Sequence, residues 1–274
     1  MKTTAVFFPF DLFGSAGTSA GALLLADAFR EMLADNRREK TLTRAPVYGG
    51  DVRVRELRFE TPESYSDWRK KSRALVRRLL DREDFFFWVT GNHLGVLPVY
   101  EELSLVGNSL IVQFDAHLDI HNFSDCTQQL SHGNFLLHAT EPLPDIINIG
   151  NRDLLLTSDY VAKHYRTTVS AELLCRDEGK ALAPIIQRVR EAPRVVLDID
   201  CDVLDPTCFP AVTHPVPFGL TPLTLLRLLD TIWSDRVAGV AISEFYPGRD
   251  RDDQCLATLA WLAEHLLLKR YEKA

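Results

Sequence analysis

The chain has 274 residues, of which 46% are hydrophobic and 25% are charged, and its formal net charge at pH 7 is −7. This composition is typical of a globular protein with a substantial core. The negative charge argues against nucleic acid or an anionic membrane as the main partner. No hydrophobic run has the length of a transmembrane helix, and the first residues lack the pattern of a signal peptide. The five cysteines show no CxxC spacing, which favours reduced thiols and a cytoplasmic location.

Short hydrophobic runs alternate along the chain with longer amphipathic segments. The runs are rich in Val, Ile and Phe without polar alternation, which is typical of strands buried on both faces. They predict strands at 4–9, 84–90, 109–115, 145–149, 194–200 and 238–244. The alternation predicts an α/β fold in which helices cover a mostly parallel sheet, as a single domain over residues 1–274.

The amphipathic segments predict six helices. They lie at about 18–35, 63–82, 94–105, 179–191, 221–233 and 253–270. In the fifth, Thr221 is expected to cap the N-terminus and Pro222 to occupy the first helical position. The polar segment 37–66 is interpreted as a surface excursion, with a substrate-selective lid as the alternative.

Near the N-terminus, residues 17–21 read Gly-Thr-Ser-Ala-Gly and match the Gly-x-Ser-x-Gly pattern of a nucleophile elbow. An elbow turns tightly from strand to helix, whereas seven residues, Asp11 to Gly17, separate this Gly from the predicted strand. We therefore interpret the motif as a small-residue loop that opens a helix. A serine hydrolase that uses Ser19 remains a distant alternative.

Two acidic clusters follow strongly hydrophobic runs. Residues 115–119 read Asp-Ala-His-Leu-Asp, and residues 200–206 read Asp-Cys-Asp-Val-Leu-Asp-Pro. Side chains two residues apart point the same way in extended backbone, so two such segments at neighbouring strand ends would bring five metal-ligand side chains together. Carboxylates at that density repel one another and are costly to bury. We therefore predict a pair of divalent metal ions there.

The donor set limits the kind of metal site. Carboxylates and imidazoles without thiolates suit Mn, Fe, Ni or Zn better than a structural Cys-type zinc site. The run that begins at Asp198 resembles the start of an EF-hand loop, which needs Gly at its sixth and Glu at its twelfth position. Val203 and Phe209 occupy those positions, so we reject that interpretation. Cys201 is expected to point away from the metals as a small core residue.

Seven short features follow one another in a fixed order. They are Thr90-Gly91-Asn92-His93, the 115–119 cluster, Ser131-His132-Gly133, Ile149-Gly150-Asn151-Arg152-Asp153, the 200–206 cluster, Gly219-Leu220-Thr221 and Ser243-Glu244. This order resembles the ureohydrolase family of arginases, agmatinases and their relatives, over about residues 5–265. The resemblance implies a three-layer α/β/α fold and a hydrolase with a binuclear, manganese-type centre.

The resemblance also implies roles for individual residues. It implies six metal ligands, which are His93, Asp115, His117, Asp119, Asp200 and Asp202. His132 matches a histidine that moves a proton near the leaving group, and Glu244 matches a glutamate that holds a planar guanidinium. His132, Glu244 and Asp119 are thus the candidate catalytic residues. Glu244, His121 and Asp153 are the candidate substrate-binding residues.

The chemistry of a guanidino group is consistent with these roles. Its carbon is a poor electrophile because the charge is delocalised, and two metal ions can make water a strong nucleophile near neutral pH. The departing amine needs a proton, which His132 could supply. A carboxylate such as Glu244 can orient a guanidinium through two parallel hydrogen bonds. Mn²⁺ is the expected metal, and the ligands also permit Ni²⁺, Fe²⁺ and Zn²⁺.

Six positions depart from the family pattern. Three lie beside the proposed ligands, namely Asn92, Leu94 and Asp198. At His121, Gln128 and Leu155 the chain lacks the residues with which arginases bind the amino-acid head of their substrate. We therefore predict urea release from a guanidino compound other than free arginine, such as a larger or peptidyl substrate. The alternatives are a formimino or acyl-amine C–N substrate, or a metal-binding relative without turnover. A homo-oligomer is expected by resemblance.

Overall fold

A parallel sheet of eight strands forms the centre of the structure, a computed structural model that describes residues 2–38, 43–59, 61–122 and 129–272. The strands are β1 (Thr3–Phe8), β2 (Val52–Glu56), β3 (Phe85–Thr90), β4 (Leu110–Phe114), β5 (Asp145–Asn151), β6 (Thr167–Ser170), β7 (Val195–Asp200) and β8 (Val237–Ser243). Their spatial order is β2-β1-β3-β8-β7-β4-β5-β6, and every pair of neighbours is parallel.

Within the described ranges, eight α-helices connect or follow the strands. They are α1 (Thr18–Arg38), α2 (Pro62–Ser66), α3 (Trp68–Asp81), α4 (Leu97–Ser104), α5 (Ser158–Val161), α6 (Ala171–Glu191), α7 (Pro222–Ile232) and α8 (Gln254–Tyr271). None of the helices in the described ranges is long and hydrophobic enough to cross a membrane.

The two faces of the sheet pack against separate hydrophobic cores. On β1, Ala5 and Phe7 face a core completed by α1, α6, α7 and α8, whereas Val6 and Phe8 face a core completed by α3 and α4. Successive strand residues point to opposite faces, so one strand serves both cores. The predicted three-layer α/β/α architecture is confirmed, and the sheet is parallel throughout.

The six predicted strands are present, and the two strands that the sequence analysis missed are β2 and β6 at the sheet edges. A strand at an edge need not be buried on both faces, so it lacks the continuous hydrophobic run used to find the others. β2 instead alternates Val with Arg. It lies inside the segment 37–66, which is therefore more than a surface excursion. Residues 39–42 and 60 of that segment lie outside the described residues.

Three predicted helices have different boundaries in the structure. The helix predicted at 63–82 is interrupted at Asp67, and the one predicted at 94–105 starts as a 3-10 turn, His93–Val96, before α4. The helix predicted at 179–191 is the second part of α6, after non-helical backbone at Asp177, and the first part, which was not predicted, begins where Ser170 Oγ accepts the Leu173 N–H. The Thr221 cap is present, with its Oγ1 3.1 Å from the Thr224 nitrogen.

Buried ion pairs attach the segment after residue 134 to helices α3 and α4. The fully buried Glu101 carboxylate accepts hydrogen bonds from Arg69, with Nε to Oε2 at 3.0 Å, and from the Thr140 N–H at 2.8 Å. Arg69 also donates to the His138 carbonyl at 2.8 Å. A buried carboxylate is tolerated only when charged or polar donors surround it. This network therefore holds the segment that leads back from His132 to the sheet.

We predict that Arg69→Ala lowers the free energy of unfolding by about 2–4 kcal/mol, because it leaves the Glu101 carboxylate without its main cation. Urea denaturation, monitored by tryptophan fluorescence, would measure the loss of unfolding free energy. The control is Arg176→Ala, which removes an exposed pair with Glu172 and should cost less than about 0.5 kcal/mol. Equal effects of the two substitutions would contradict a structural role for the buried network.

Candidate active site

The proposed ligand segments meet because four neighbouring strands end at one edge of the sheet. β7 lies between β4 and β8, with Ile199 paired to Phe114 and Asp200 paired to Ser243. The residues that follow these strand ends therefore lie side by side. This position agrees with the rule that sites in open parallel sheets lie beyond the carboxyl ends of the strands.

His93 faces three carboxylates. Its Nδ1 lies 2.8 Å from Asp119 Oδ2, 3.1 Å from Asp200 Oδ2 and 3.2 Å from Asp115 Oδ2. Each distance brings a potential ligand atom close enough to share one cation. The 3-10 turn that starts at His93, directly after β3, places the ring at this point.

His117 forms a second group with two carboxylates. Its Nδ1 lies 2.8 Å from Asp202 Oδ2 and 3.9 Å from Asp115 Oδ1. Asp115 thus contributes one oxygen to each histidine, and both groups have the size of a metal-binding cluster. The six side chains predicted as ligands are therefore brought together, with Asp115 in a bridging position.

The polar atoms of the cluster fit a bound cation. His93 Nδ1 and Asp115 Oδ2 are buried and make no hydrogen bond within the described part of the chain, although they lie close together. Burial together with Asp119 and Asp202 raises the pKa of Asp115 to about 7. Burial and the Asp202 and Asp115 carboxylates also hold the pKa of Asp200 well above its usual range. A divalent cation would relieve this repulsion and use the free lone pairs.

The backbone of the two motifs differs from the extended form assumed from the sequence. After β4 the chain bends, and Asp119 has a left-handed backbone with φ of 47°. After Asp200 it forms a short 3-10 turn, in which Asp200 Oδ1 accepts the Asp202 N–H at 2.9 Å. The turns that follow these strands therefore bring the ligand side chains together, and the alternation of an extended strand does not. Cys201 points into the hydrophobic core, as predicted.

A cavity of about 230 Å³ adjoins the cluster. It is lined by His117, Asp119, His121, His132, Gly133, Asp200, Asp202, His214 and Glu244. Proposed ligands, the predicted proton-transfer histidine and the predicted substrate carboxylate therefore face the same space. A cavity of this size accommodates a small planar cation and part of its tail.

Glu244 is held firmly at the end of β8. Its backbone is left-handed, with φ of 64°, and its N–H donates to the Gly91 carbonyl at 2.7 Å. Its Oε1 accepts the backbone N–H of His93 at 3.0 Å and lies 3.2 Å from His132 Nδ1. A glutamate in this conformation is uncommon and has to be stabilised by its surroundings. A Cβ at Gly91 would lie 2.3 Å from the Phe10 carbonyl oxygen, so this close approach requires glycine.

His132 is positioned from several sides. Its Nδ1 lies 3.3 Å from Ser15 Oγ as well as near Glu244. Burial alone would lower its pKa, but the hydrogen bond and charge of Glu244 outweigh this and raise the pKa above its usual value. Gly14 packs against the ring so closely that a Cβ there would lie 2.4 Å from Cδ2. His132 is thus held where it can exchange a proton with a group in the cavity.

The candidate substrate-binding residues His121 and Asp153 form a pair, with Nε2 to Oδ2 at 3.0 Å. His121 lines the cavity, whereas Asp153 does not. Burial would raise the pKa of Asp153, but hydrogen bonds from His121 and the Leu156 and Leu155 N–H groups lower it to about 2. Leu155 is 74% exposed, and Gln128 lies outside the described residues.

His214 is a cavity residue that the sequence analysis missed. Its ring centroid lies 5.2 Å from that of His132, and its Nδ1 lies 2.9 Å from Thr213 Oγ1. Thr213 Oγ1 in turn lies 2.8 Å from Ser15 Oγ. His214 lies between two of the sequence motifs but does not follow a strand. The other site residues were found at strand ends, so that position could not indicate His214.

The Gly-x-Ser-x-Gly motif opens helix α1. The Asp11 carboxylate accepts the N–H groups of Gly17 at 2.9 Å and Ser19 at 3.3 Å, and the helix begins at Thr18. Ser19 therefore lies in the first helical turn and not on a tight strand-to-helix elbow. This arrangement agrees with the interpretation of a small-residue loop.

Sequence comparison finds formimidoylglutamases and arginases among the relatives of this chain. The chain is 29% identical over 221 residues to the formimidoylglutamase of Staphylococcus aureus (strain MSSA476), covering 76% of this chain and 69% of that protein. It is 31% identical over 186 residues to a mitochondrial arginase of Medicago truncatula, covering 62% of this chain and 51% of that protein.

Solved structures share the fold at lower identity. An arginase from Bacillus subtilis superposes with a TM-score of 0.78 at 19% identity, covering 97% of this chain and 98% of that chain. A formimidoylglutamase from Bacillus subtilis superposes with a TM-score of 0.75 at 19% identity, covering 97% and 86%. Residues 3–269 match the sequence model described as the Arginase family. The chain therefore belongs to the arginase family of hydrolases.

Proposed function

We propose that this chain is a binuclear metal-dependent hydrolase that cleaves the C–N bond of a guanidino group and releases urea. One observation carries the proposal: a single cavity is lined both by proposed metal ligands and by the His132–Glu244 pair. Neither group alone would specify the chemistry. A cluster of carboxylates and imidazoles can hold cations, and the adjacent acid and proton donor suit a cationic substrate with an amine leaving group.

The proposed metal centre consists of His93, Asp115, His117, Asp119, Asp200 and Asp202. Two divalent ions held there, Mn²⁺ in our proposal, would supply the Lewis acidity that makes water nucleophilic near neutral pH. The absence of thiolates among the donors supports Mn²⁺, and Ni²⁺, Fe²⁺ or Zn²⁺ would fit the same donors.

Glu244 is proposed to orient the substrate. Its Oε1 is engaged by His93 and His132, while among the described residues its Oε2 has only a long contact of 3.4 Å to Thr213 Oγ1. A planar cation can donate parallel N–H bonds to such a carboxylate, which fixes the carbon to be attacked. His132 lines the same cavity and would deliver a proton to the departing nitrogen, and protonation would prevent that nitrogen from re-adding.

The substrate is proposed to differ from free arginine. The cavity edge carries the His121–Asp153 pair, and the adjacent Leu154 and Leu155 are strongly exposed. This edge offers hydrophobic surface beside a paired histidine, which supports a larger or peptidyl substrate whose tail lies outside the cavity. His121 and Asp153 would then contact the tail or shape its entry.

A formimino compound is the second candidate substrate, and the sequence similarity to a formimidoylglutamase favours it. A formimino group is also a planar amidine that can donate N–H bonds to Glu244. The same attack by water would release formamide or ammonia instead of urea. Guanidino and formimino groups fit the same site residues, so the released product, urea or else formamide or ammonia, distinguishes the two substrates.

Other features are proposed from the sequence alone. They are a cytoplasmic location, a single domain, and a small-molecule or peptide substrate as the partner instead of nucleic acid or a membrane. Assembly into a homo-oligomer is proposed from the resemblance to the ureohydrolases.

We predict about two Mn²⁺ ions per chain in the loaded protein and urea release from at least one guanidino compound. Metal content would be measured by mass spectrometry, and urea, formamide and ammonia would be assayed over guanidino and formimino panels that include peptidyl arginine. Asp202→Ala should lose metal and activity. The matched control Asp205→Asn alters an acid of the same motif that bonds the Thr207 and Gly219 N–H groups, and should retain metal.

Formamide or ammonia without urea would select the formimino candidate. Two bound ions without any product would leave a metal-binding relative that lacks turnover. Absence of metal from the reconstituted wild type would refute the proposed centre.

We predict that Gly14→Ala lowers kcat by about 10–100-fold with unchanged metal content, because the added methyl group displaces the His132 ring. Steady-state kinetics on a substrate found in the product assays would measure the effect. Gly50→Ala makes the same chemical change where no atom lies within 4 Å, and should leave kcat unchanged. Full activity of Gly14→Ala would show that the position of His132 does not matter.

We predict that Glu244→Gln lowers the pKa of His132. The Glu244 carboxylate stabilises the imidazolium and so raises this pKa, and removal of its charge shifts the deprotonation to lower pH. Histidine NMR titration of the metal-free protein would follow the ring directly. An unchanged pKa in the variant would mean that Glu244 does not control the protonation of His132.

A further inference from the structure

A buried carboxylate lies behind the proposed ligand His93. Asp198 is fully buried on β7, and its Oδ2 lies 2.9 Å from His93 Nε2. The Tyr100 hydroxyl of α4 donates to the same oxygen at 2.6 Å. On β7 the flanking Leu197 and Ile199 face the opposite core, so Asp198 points toward α4 and His93.

This contact gives a hydrogen on His93 Nε2 a carboxylate acceptor. With its hydrogen on Nε2, the neutral ring would present the Nδ1 lone pair to a cation. Nδ1 is the atom that faces Asp115, Asp119 and Asp200. The ring is also packed against Phe135, with centroids 5.0 Å apart, so it has little freedom to turn.

The other proposed histidine ligand has a different environment. His117 points its Nδ1 at Asp202, and its side chain is 31% exposed, against 1% for His93. Within the described residues, the second ring nitrogen of His117 makes no hydrogen bond. The two proposed metal positions therefore differ in what stands behind their histidines.

We propose that Asp198, held by Tyr100, is a positioning residue for the metal ion at the His93 side of the centre. This inference rests on the proposed binuclear centre. Asp198 fixes the tautomer and orientation of His93 and adds negative charge behind it, both of which strengthen an imidazole as a ligand. Tyr100 keeps the carboxylate in place and satisfies part of its hydrogen-bonding capacity.

The test is equilibrium dialysis of wild type, Asp198→Asn, Asp198→Ala and Tyr100→Phe against graded Mn²⁺ concentrations, with bound metal measured by mass spectrometry. We expect two ions in the wild type. Asp198→Ala should weaken one of the two by about 10–100-fold and largely spare the other. Asp198→Asn keeps an acceptor but loses the charge, so its loss should be smaller, and Tyr100→Phe should affect the same ion least.

Two matched variants control for burial and charge. Tyr48→Phe removes a buried hydroxyl that bonds to Glu264, and Asp230→Asn removes a carboxylate paired with Lys269. Both should bind metal like the wild type. Thermal unfolding of each metal-free variant separates loss of folding from loss of a ligand. If Asp198→Ala does not fold, Asp198→Asn and Tyr100→Phe decide the question.

If the folded Asp198 variants bind both ions as tightly as the wild type does, the inference is overturned and the proposed function is left intact. Equal weakening of both ions would also overturn it, because the effect would not be specific to the His93 side. A wild type that binds no Mn²⁺ would overturn the inference and the proposed centre together.

Discussion

Repulsion among buried carboxylates is the constraint on which the rest of the site depends. Asp115, Asp119, Asp200 and Asp202 are all nearly inaccessible to solvent, and they lie around His93 and His117. Such a cluster is unfavourable unless positive charge balances it. The arrangement therefore favours binding of cations over stability of the empty protein. The surrounding sheet, with hydrophobic cores on both faces, supplies the rigidity that keeps these groups together.

The parallel sheet explains why residues so distant in sequence can form one site. Each central strand ends at the same edge, and each contributes between one and three polar site residues at its end or just after it. The close approach of Gly91 to Phe10 and the left-handed backbone of Glu244 are local costs of this convergence. Gly91 and Glu244 both come directly after the end of a strand, and the packed layers of the fold stabilise them there.

The sequence was sufficient to predict the six buried strands, the layer architecture and the grouping of the proposed ligands. Continuous hydrophobic runs indicated the strands and a sheet covered by helices, and polar residues after several of them indicated the site. The three-layer architecture and the set of six ligands came from the resemblance to the ureohydrolases. The edge strands β2 and β6 were missed because only a strand buried on both faces has such a run. His214 was missed because its place depends on a loop fold that no local pattern encodes. The turns at Asp119 and Cys201 replaced the expected extended backbone, since ligand geometry there depends on tertiary contacts.

The hydrogen bond from the His93 N–H to Glu244 has a thermodynamic consequence. One carboxylate contacts the backbone of a proposed metal ligand and also faces the space where a substrate would bind. A substrate that moves Glu244 would change the affinity of the nearby ion. By linkage, the ion would then change the affinity for the substrate by the same factor. Metal retention and substrate recognition would thus be joined through a single side chain in the proposed enzyme.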